Sequence, residues 1–283
     1  MVRSPLRLLS ILLAFVGLVA PLACSTPPPA DERSDEQKCA QDDAADSCRA
    51  ACDKGSVTSC RFLAGFYQVG KGVEYDLARM VALFEKMCAL KDVQGCEDAA
   101  KHYDMADGVA LDQAKARELF AKACVGQSVT ACERLGRMYA EGQGGGQDLK
   151  KARGLYEKLC TLEVRGVCVE LGVMYRDGTG GEVDMTHATA TLQAACDAHY
   201  VDGCAELGMQ FFGGAGTERD YNKARDLFKL ACDGDIATAC DGLAVIYEQN
   251  LTGEQALVRA KTYYEKACKL GLTRSCERAK TIE

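Results

Sequence analysis

Apolar positions after residue 47 follow two periods at once, a helical one nested inside a long one of 36 residues. Leu63-Ala64, Ala99-Ala100, Leu135-Gly136, Leu171-Gly172, Leu207-Gly208 and Leu243-Ala244 recur at that step. Four residues after the first member of each pair stands an aromatic: Tyr67, Tyr103, Tyr139, Tyr175, Phe211, Tyr247. Residues at i and i+4 share one helical face, and the small residue between them lets another helix approach closely. Glycines such as Gly70/Gly72, Gly142/Gly144 and Gly178/Gly180 then end this first helix. An acid opens a second helix at Asp76, Asp112, Asp148, Asp184 and Asp220, suited to an N-cap and to the helix dipole. Its apolar stripe is clearest as Ala116, Leu119, Phe120 and Ala123. Each unit therefore reads as two antiparallel helices that can bury their stripes only by stacking on neighbours, an all-α solenoid.

Cysteine marks the same lattice. Cys52, Cys88, Cys124, Cys160, Cys196, Cys232 and Cys268 are spaced by 36, and so are Cys60, Cys96, Cys132, Cys168, Cys204, Cys240 and Cys276. Fourteen of the 17 cysteines are placed this way, leaving Cys24, Cys39 and Cys48. Two cysteines eight residues apart on a continuous helix would lie about 12 Å apart, beyond a disulfide. Each Cys-x7-Cys interval contains a glycine (Gly55, Gly95, Gly126, Gly166, Gly203, Gly234, Gly271) at which the chain can turn. Pairing Cys60 with Cys88 across a hairpin is also geometrically open, but along the array it strands Cys52 and Cys276. The preferred scheme is Cys52–Cys60, Cys88–Cys96, Cys124–Cys132, Cys160–Cys168, Cys196–Cys204, Cys232–Cys240 and Cys268–Cys276. Cys39–Cys48 follows by elimination, with exchange among Cys39, Cys48, Cys52 and Cys60 left open. Such bonds belong to an oxidising compartment.

The run Leu135-Gly136-x-x-Tyr139-x-x-Gly142-x-Gly144, then Asp148-x-x-Lys151-Ala152-x-x-Leu155-Tyr156-x-x-x-Cys160, resembles a Sel-one-like repeat, a relative of the tetratricopeptide repeat. The regular cysteines make it similar to the secreted bacterial cysteine-rich (Hcp) branch. The resemblance implies a right-handed α/α solenoid of helix-turn-helix units over residues 47–283, six full repeats with a cap at each end. Departures are local: Ala106 replaces a loop glycine, Asn250 and Thr252 replace two, and Ala256 replaces an opening Asp. The last unit has Ala279-Lys280 in place of Leu-Gly, as suits a cap.

Ahead of the array, Arg3 and Arg7 precede the apolar run 8–20, too short for a bilayer span and typical of a signal-peptide core. Pro21-Leu22-Ala23-Cys24-Ser25 resembles a bacterial lipobox, with Pro21 where Leu is usual. It implies cleavage after residue 23 and lipidation of Cys24, against ordinary cleavage and secretion as the alternative. Lipid on Cys24 leaves sixteen cysteines, an even number. Residues 24–46 carry seven acids and only Arg33 and Lys38, and read as a solvated tether. The expected location is the bacterial envelope, at the outer membrane or the periplasmic face.

Composition narrows the function. At 48% hydrophobic and with no proline after residue 29, the chain can fill a helical core. A net charge of −7 leaves no basic excess for nucleic acid. Some cysteine-rich relatives are known as β-lactamases, which implies a β-lactam or peptidoglycan-fragment binder as an alternative. Ser-x-x-Lys and Lys-Thr-Gly are both absent, however. His102, His187 and His199 lie in three different repeats, so neither a metal site nor a catalytic residue is assigned, and no cofactor is expected.

Recognition remains. First helices of such solenoids line a concave face that grips peptides. Away from the Leu and aromatic positions, the first three units present Arg61, Glu97, Lys101, Asp104, Glu133, Arg137 and Glu141, read as a solvated face. The next two present Val169, Val173, Met209 and Phe212, with Arg176 nearby. An apolar patch on a nominally exposed face, with an adaptable Met in it, is a candidate contact surface. Curvature burying the patch between units is the competing explanation. Val169, Val173, Arg176, Met209, Phe212 and Arg137 are the candidate binding residues, for a protein or peptide partner in the envelope. The chain is expected to be monomeric and to meet the membrane only through its lipid.

Overall fold

The computed structural model describes residues 34–42, 44–162, 166–253 and 256–282. Among them are fifteen α-helices and no strand. α1 (Asp35–Asp42) and α2 (Ala45–Asp53) form an N-terminal pair. Six helix pairs follow: α3 (Val57–Val69) with α4 (Leu77–Ala89), α5 (Val93–Met105) with α6 (Gln113–Val125), and α7 (Val129–Glu141) with α8 (Leu149–Thr161). Next come α9 (Gly166–Asp177) with α10 (Met185–Asp197), α11 (Val201–Gly213) with α12 (Tyr221–Asp233), and α13 (Ala237–Glu248) with α14 (Leu257–Lys269). α15 (Thr273–Thr281) closes the stack. Each helix packs on the next, and first helices also touch one another, α9 with α11 and α11 with α13, so they line the inner curve.

The local chemistry follows the repeat. Asp76, Asp112, Asp148, Asp184 and Asp220 each cap a second helix, accepting from the backbone N–H three residues on. Their own N–H groups donate to the carbonyl of the core aromatic, as Asp148 does to Tyr139 at 2.9 Å, which fixes the loop between the helices. Above the same rings lie cations 36 residues apart: Lys115 over Tyr103, Lys151 over Tyr139, Lys223 over Phe211, Arg259 over Tyr247. His187 takes that place in its repeat, stacked on Tyr175 and bonded to Asp184. Ala256 holds the backbone of a cap (φ −140, ψ 72) without a side chain to serve it. Ala256→Asp is therefore expected to raise stability by about 1 kcal/mol, read as a higher denaturant midpoint at unchanged slope.

All eight cysteine pairs of the preferred scheme are joined, Cys39–Cys48 included. The turn that joins them differs from the sequence expectation. The left-handed residue stands three after the first cysteine, at Gly55, Lys91, Gln127, His199, Asp235 and Gly271, so glycine fills it only at the two ends. Gly95, Gly126, Gly203 and Gly234 instead serve packing. A Cβ on Gly95 would stand 2.5 Å from the Met87 Cβ, and one on Gly126 would stand 2.3 Å from Val93 Cγ2. The missing side chains let α5 close on α4 of the preceding repeat and the end of α6 close on α5 within one.

The helical array also begins earlier than residue 47. α1 lies inside the acidic stretch, with Asp35 2.5 Å from Lys54 Nζ and Glu36 accepting from Ser56 Oγ at 2.9 Å. The signal segment, the lipobox with Cys24, and the tether to residue 33 lie outside the described residues. Among the described residues, no helix is long and apolar enough to cross a membrane.

Candidate binding cleft on the inner helices

In three units the residue nine after the first cysteine ties its helix to the next first helix, whereas Glu133 at that position pairs within its own helix, with Arg137. Arg61 donates to Asp92, the cap of α5, at 2.7 Å. Glu97, only 6% exposed, accepts from Ser128 Oγ at 2.5 Å and Thr130 Oγ1 at 2.7 Å at the start of α7. Although burial opposes its charge, the bonds from Lys101, Ser128 and Thr130 hold its carboxyl below the usual range. Asp241 accepts from Ser275 at 2.6 Å and Arg274 at 2.7 Å at the head of α15. Asp104, too, is engaged, by Arg134 of the next repeat. Arg61, Glu97 and Asp104 are thus inter-repeat latches rather than the solvated face their charge suggested.

Val169 and Ala205 occupy the latch position in the two central repeats and cannot bridge. There the inner wall opens into a cleft of about 670 Å³ lined from α7, α8, α9, α11 and α13. Val169, Val173, Ala205 and Ile236 supply apolar wall, and Arg137, Glu141, Glu170, Asp202 and Glu206 supply charge. Of the sequence candidates, Val169, Val173 and Arg137 come together here, Arg137 within 3.1 Å of Glu133. Arg176 lies outside and is tied to Glu206 at 2.5 Å and Asp177 at 2.8 Å. Met209 is 51% exposed on α11, away from the cleft lining. Phe212 turns into the structure, edge-on to Tyr221 and against Phe228.

Sequence reasoning missed the floor. Tyr156 is 6% exposed, its ring lying under Gly136 of α7 where a Cβ would come within 2.5 Å. Its column carries Phe84, Phe120, Leu192 and Phe228 in other repeats, so a hydroxyl there was the legible signal. Tyr264 shares the column but donates to Glu248 at 2.7 Å. Burial, then the neighbouring Glu170, pushes the Tyr156 hydroxyl up to about 12. Glu170 is also pushed above the carboxylate range, by the desolvating walls first and then by Glu133 and Asp202, against the pull of Arg137.

The histidines stay apart in the structure. His102 stacks on Phe84 with Nδ1 2.9 Å from the Asp107 carbonyl, and His199 is a turn residue. Among the described residues, no group of three His, Cys, Asp or Glu could hold a metal ion. The cleft offers no nucleophile paired with a base, and the alternative hydrolytic reading gains no residue from it.

Six segments of the chain, 57–92, 94–124, 129–163, 167–200, 201–235 and 237–272, match the Sel1 repeat family. Among solved structures it is similar to c5321, a protective antigen of uropathogenic Escherichia coli strains with an SLR fold. Identity is 26% and the TM-score 0.68, over 81% of this chain and 49% of that one, so the chain spans about half that antigen's length. A Sel1 repeat protein from Oxalobacter formigenes shares the fold at 16% identity and TM-score 0.57, over 82% of this chain and 94% of that one. Helicobacter pylori cysteine rich protein B is 28% identical over 49% of this chain and 99% of its own, at TM-score 0.36. No curated protein matches the chain.

Proposed function

Because the chain belongs to the Sel1 repeat family, whose members are protein–protein interaction scaffolds, we propose that it holds an extended segment of a partner protein in the cleft along α7, α9, α11 and α13. The observation that carries this reading is the loss of the latch at Val169 and Ala205, which leaves an apolar wall open on the inner helices. Val169, Val173 and Arg137 are the contacts of this site. Arg176 braces α9 against α11, and Met209 is available to a longer segment leaving the cleft. The eight disulfides belong outside the cytoplasm. Within that space, the reading places a single copy of the chain at the bacterial envelope, held by lipid on Cys24.

The test is photocrosslinking in intact envelopes, with a photoreactive residue at position 173 and, as control, at Leu230 on the outer helix α12. A partner segment joined at position 173 and not at 230 is the expected result. Val169→Asp, which sets a charge on the apolar wall beside it, is expected to cut that yield about tenfold or more. Equal crosslinking from both positions, or none from 173, would remove the cleft from consideration.

A further inference from the structure

Among the described residues, Glu170 and Asp202 receive no ion pair and no hydrogen bond from any other side chain, although both line the cleft. The remaining cleft charges are satisfied: Glu206 by Arg176, Glu141 by Gln143, Arg137 by Glu133. Beneath them the Tyr156 hydroxyl is unpartnered, on a ring more than nine-tenths buried, and it too reaches the cleft. The equivalent Tyr264 hydroxyl donates to Glu248, whereas that of Tyr156 opens on the cleft without a partner. Three polar groups, two of them carboxylates, thus line one space walled by Val169, Val173, Ala205 and Ile236.

Resting on the peptide-binding reading, we infer that this cleft is a receptor for a basic side chain: a lysine or arginine of an extended peptide, its cation between Glu170 and Asp202 and donating to the Tyr156 hydroxyl oxygen. The apolar walls suit the methylene stem of such a residue, and the carboxylates suit its head. An acidic peptide would meet four carboxylates against one guanidinium that is already engaged. The raised pKa of Glu170 fits the same arrangement, because a cation beside it would favour its charged form. For a carboxyl raised on folding, the unfolded chain releases its proton first. The penalty is therefore absent in acid and grows as pH rises through the ordinary carboxylate range. Glu170→Gln is accordingly expected to melt at or above the parent temperature at neutral pH while losing the ligand. A group that only held the fold together would do the reverse.

The experiment selects a phage-displayed random linear peptide library on the oxidised, cleaved protein. Kd values of the enriched peptides are then measured by fluorescence anisotropy. The expected peptides share one Lys or Arg. Replacing it by norleucine, or making Glu170→Gln or Asp202→Asn in the protein, weakens binding about tenfold or more. Tyr156→Phe weakens it about threefold or more, with no loss of thermal stability. Asp202 is exposed, so its variant keeps the test valid should a cleft-floor substitution disturb folding. Enriched peptides without a basic residue, or indifferent to Glu170 and Asp202 but lost with Val173→Asp, overturn the basic-residue inference and leave the cleft reading standing. Selection of no peptide that depends on Val173, Glu170 or Asp202 overturns both.

Discussion

Phe228→Ala is expected to cost about 3–5 kcal/mol, the loss typical of a large aromatic removed from a close-packed interior. Its ring is 1% exposed and lies between two glycines of successive repeats. A Cβ on Gly208 of α11 would stand 2.7 Å from its Cδ1, and one on Gly242 of α13 would stand 2.8 Å from its Cε2. One side chain thus fills the seam inside a repeat and the seam to the next. In a stacked array whose units contact only their neighbours, weakening one seam uncouples the segments on either side. The expected denaturation of the variant has two transitions, and amide exchange in α13 to α15 speeds up before exchange in α3 to α8. A single transition shifted by less than about 1 kcal/mol would show that the glycine seat does not hold the junction.

The second large effect is expected from Cys196→Ala with Cys204→Ala, at about 2–3 kcal/mol. Chain entropy sets that scale for a loop this short, and two buried sulfurs add packing loss. The bond joins the end of α10 to the start of α11, so it closes a repeat boundary next to the cleft. Equilibrium unfolding in urea measures the loss. The matching pair Cys124→Ala with Cys132→Ala should lose a similar amount, because the same short turn separates both pairs. A cost near zero at both boundaries would mean that the stacked helices hold the turn unaided.

Much of this was legible because each rule repeats. Asp148 as a cap, Tyr139 as a core aromatic and Gly136 as a point of helix approach all do in the structure what their spacing implied. The turns after Cys88 and Cys124 escaped because Lys91 and Gln127 adopt left-handed conformations that the sequence would assign to glycine. Stacking over-determines those turns and so tolerates a less suitable residue. Glu97 escaped for a different reason. Its burial depends on where the next repeat's Ser128 falls, and hydrophobic period along one helix contains no such distance. The cleft combined both kinds of signal. Val169 and Val173 stood out as apolar among charges, whereas Glu170, Asp202 and Tyr156 meet only through the curvature of three successive units. Phe212 looked free by the same projection, yet it packs on Tyr221 and Phe228 because α12 lies on that side of α11.

The connectivity of the staples also bears on how the chain matures. Every bond from Cys39 onward joins a cysteine to its immediate successor in the chain, over eight or nine residues, and none crosses another. As the polypeptide threads out of the cytoplasm amino end first, each pair emerges together and can be closed before the next appears. An enzyme that only oxidises neighbouring thiols in order of arrival would reach the native pattern, with no mispaired bond to reshuffle. Biogenesis of this protein is therefore expected to depend on a thiol oxidase and to be indifferent to a disulfide isomerase.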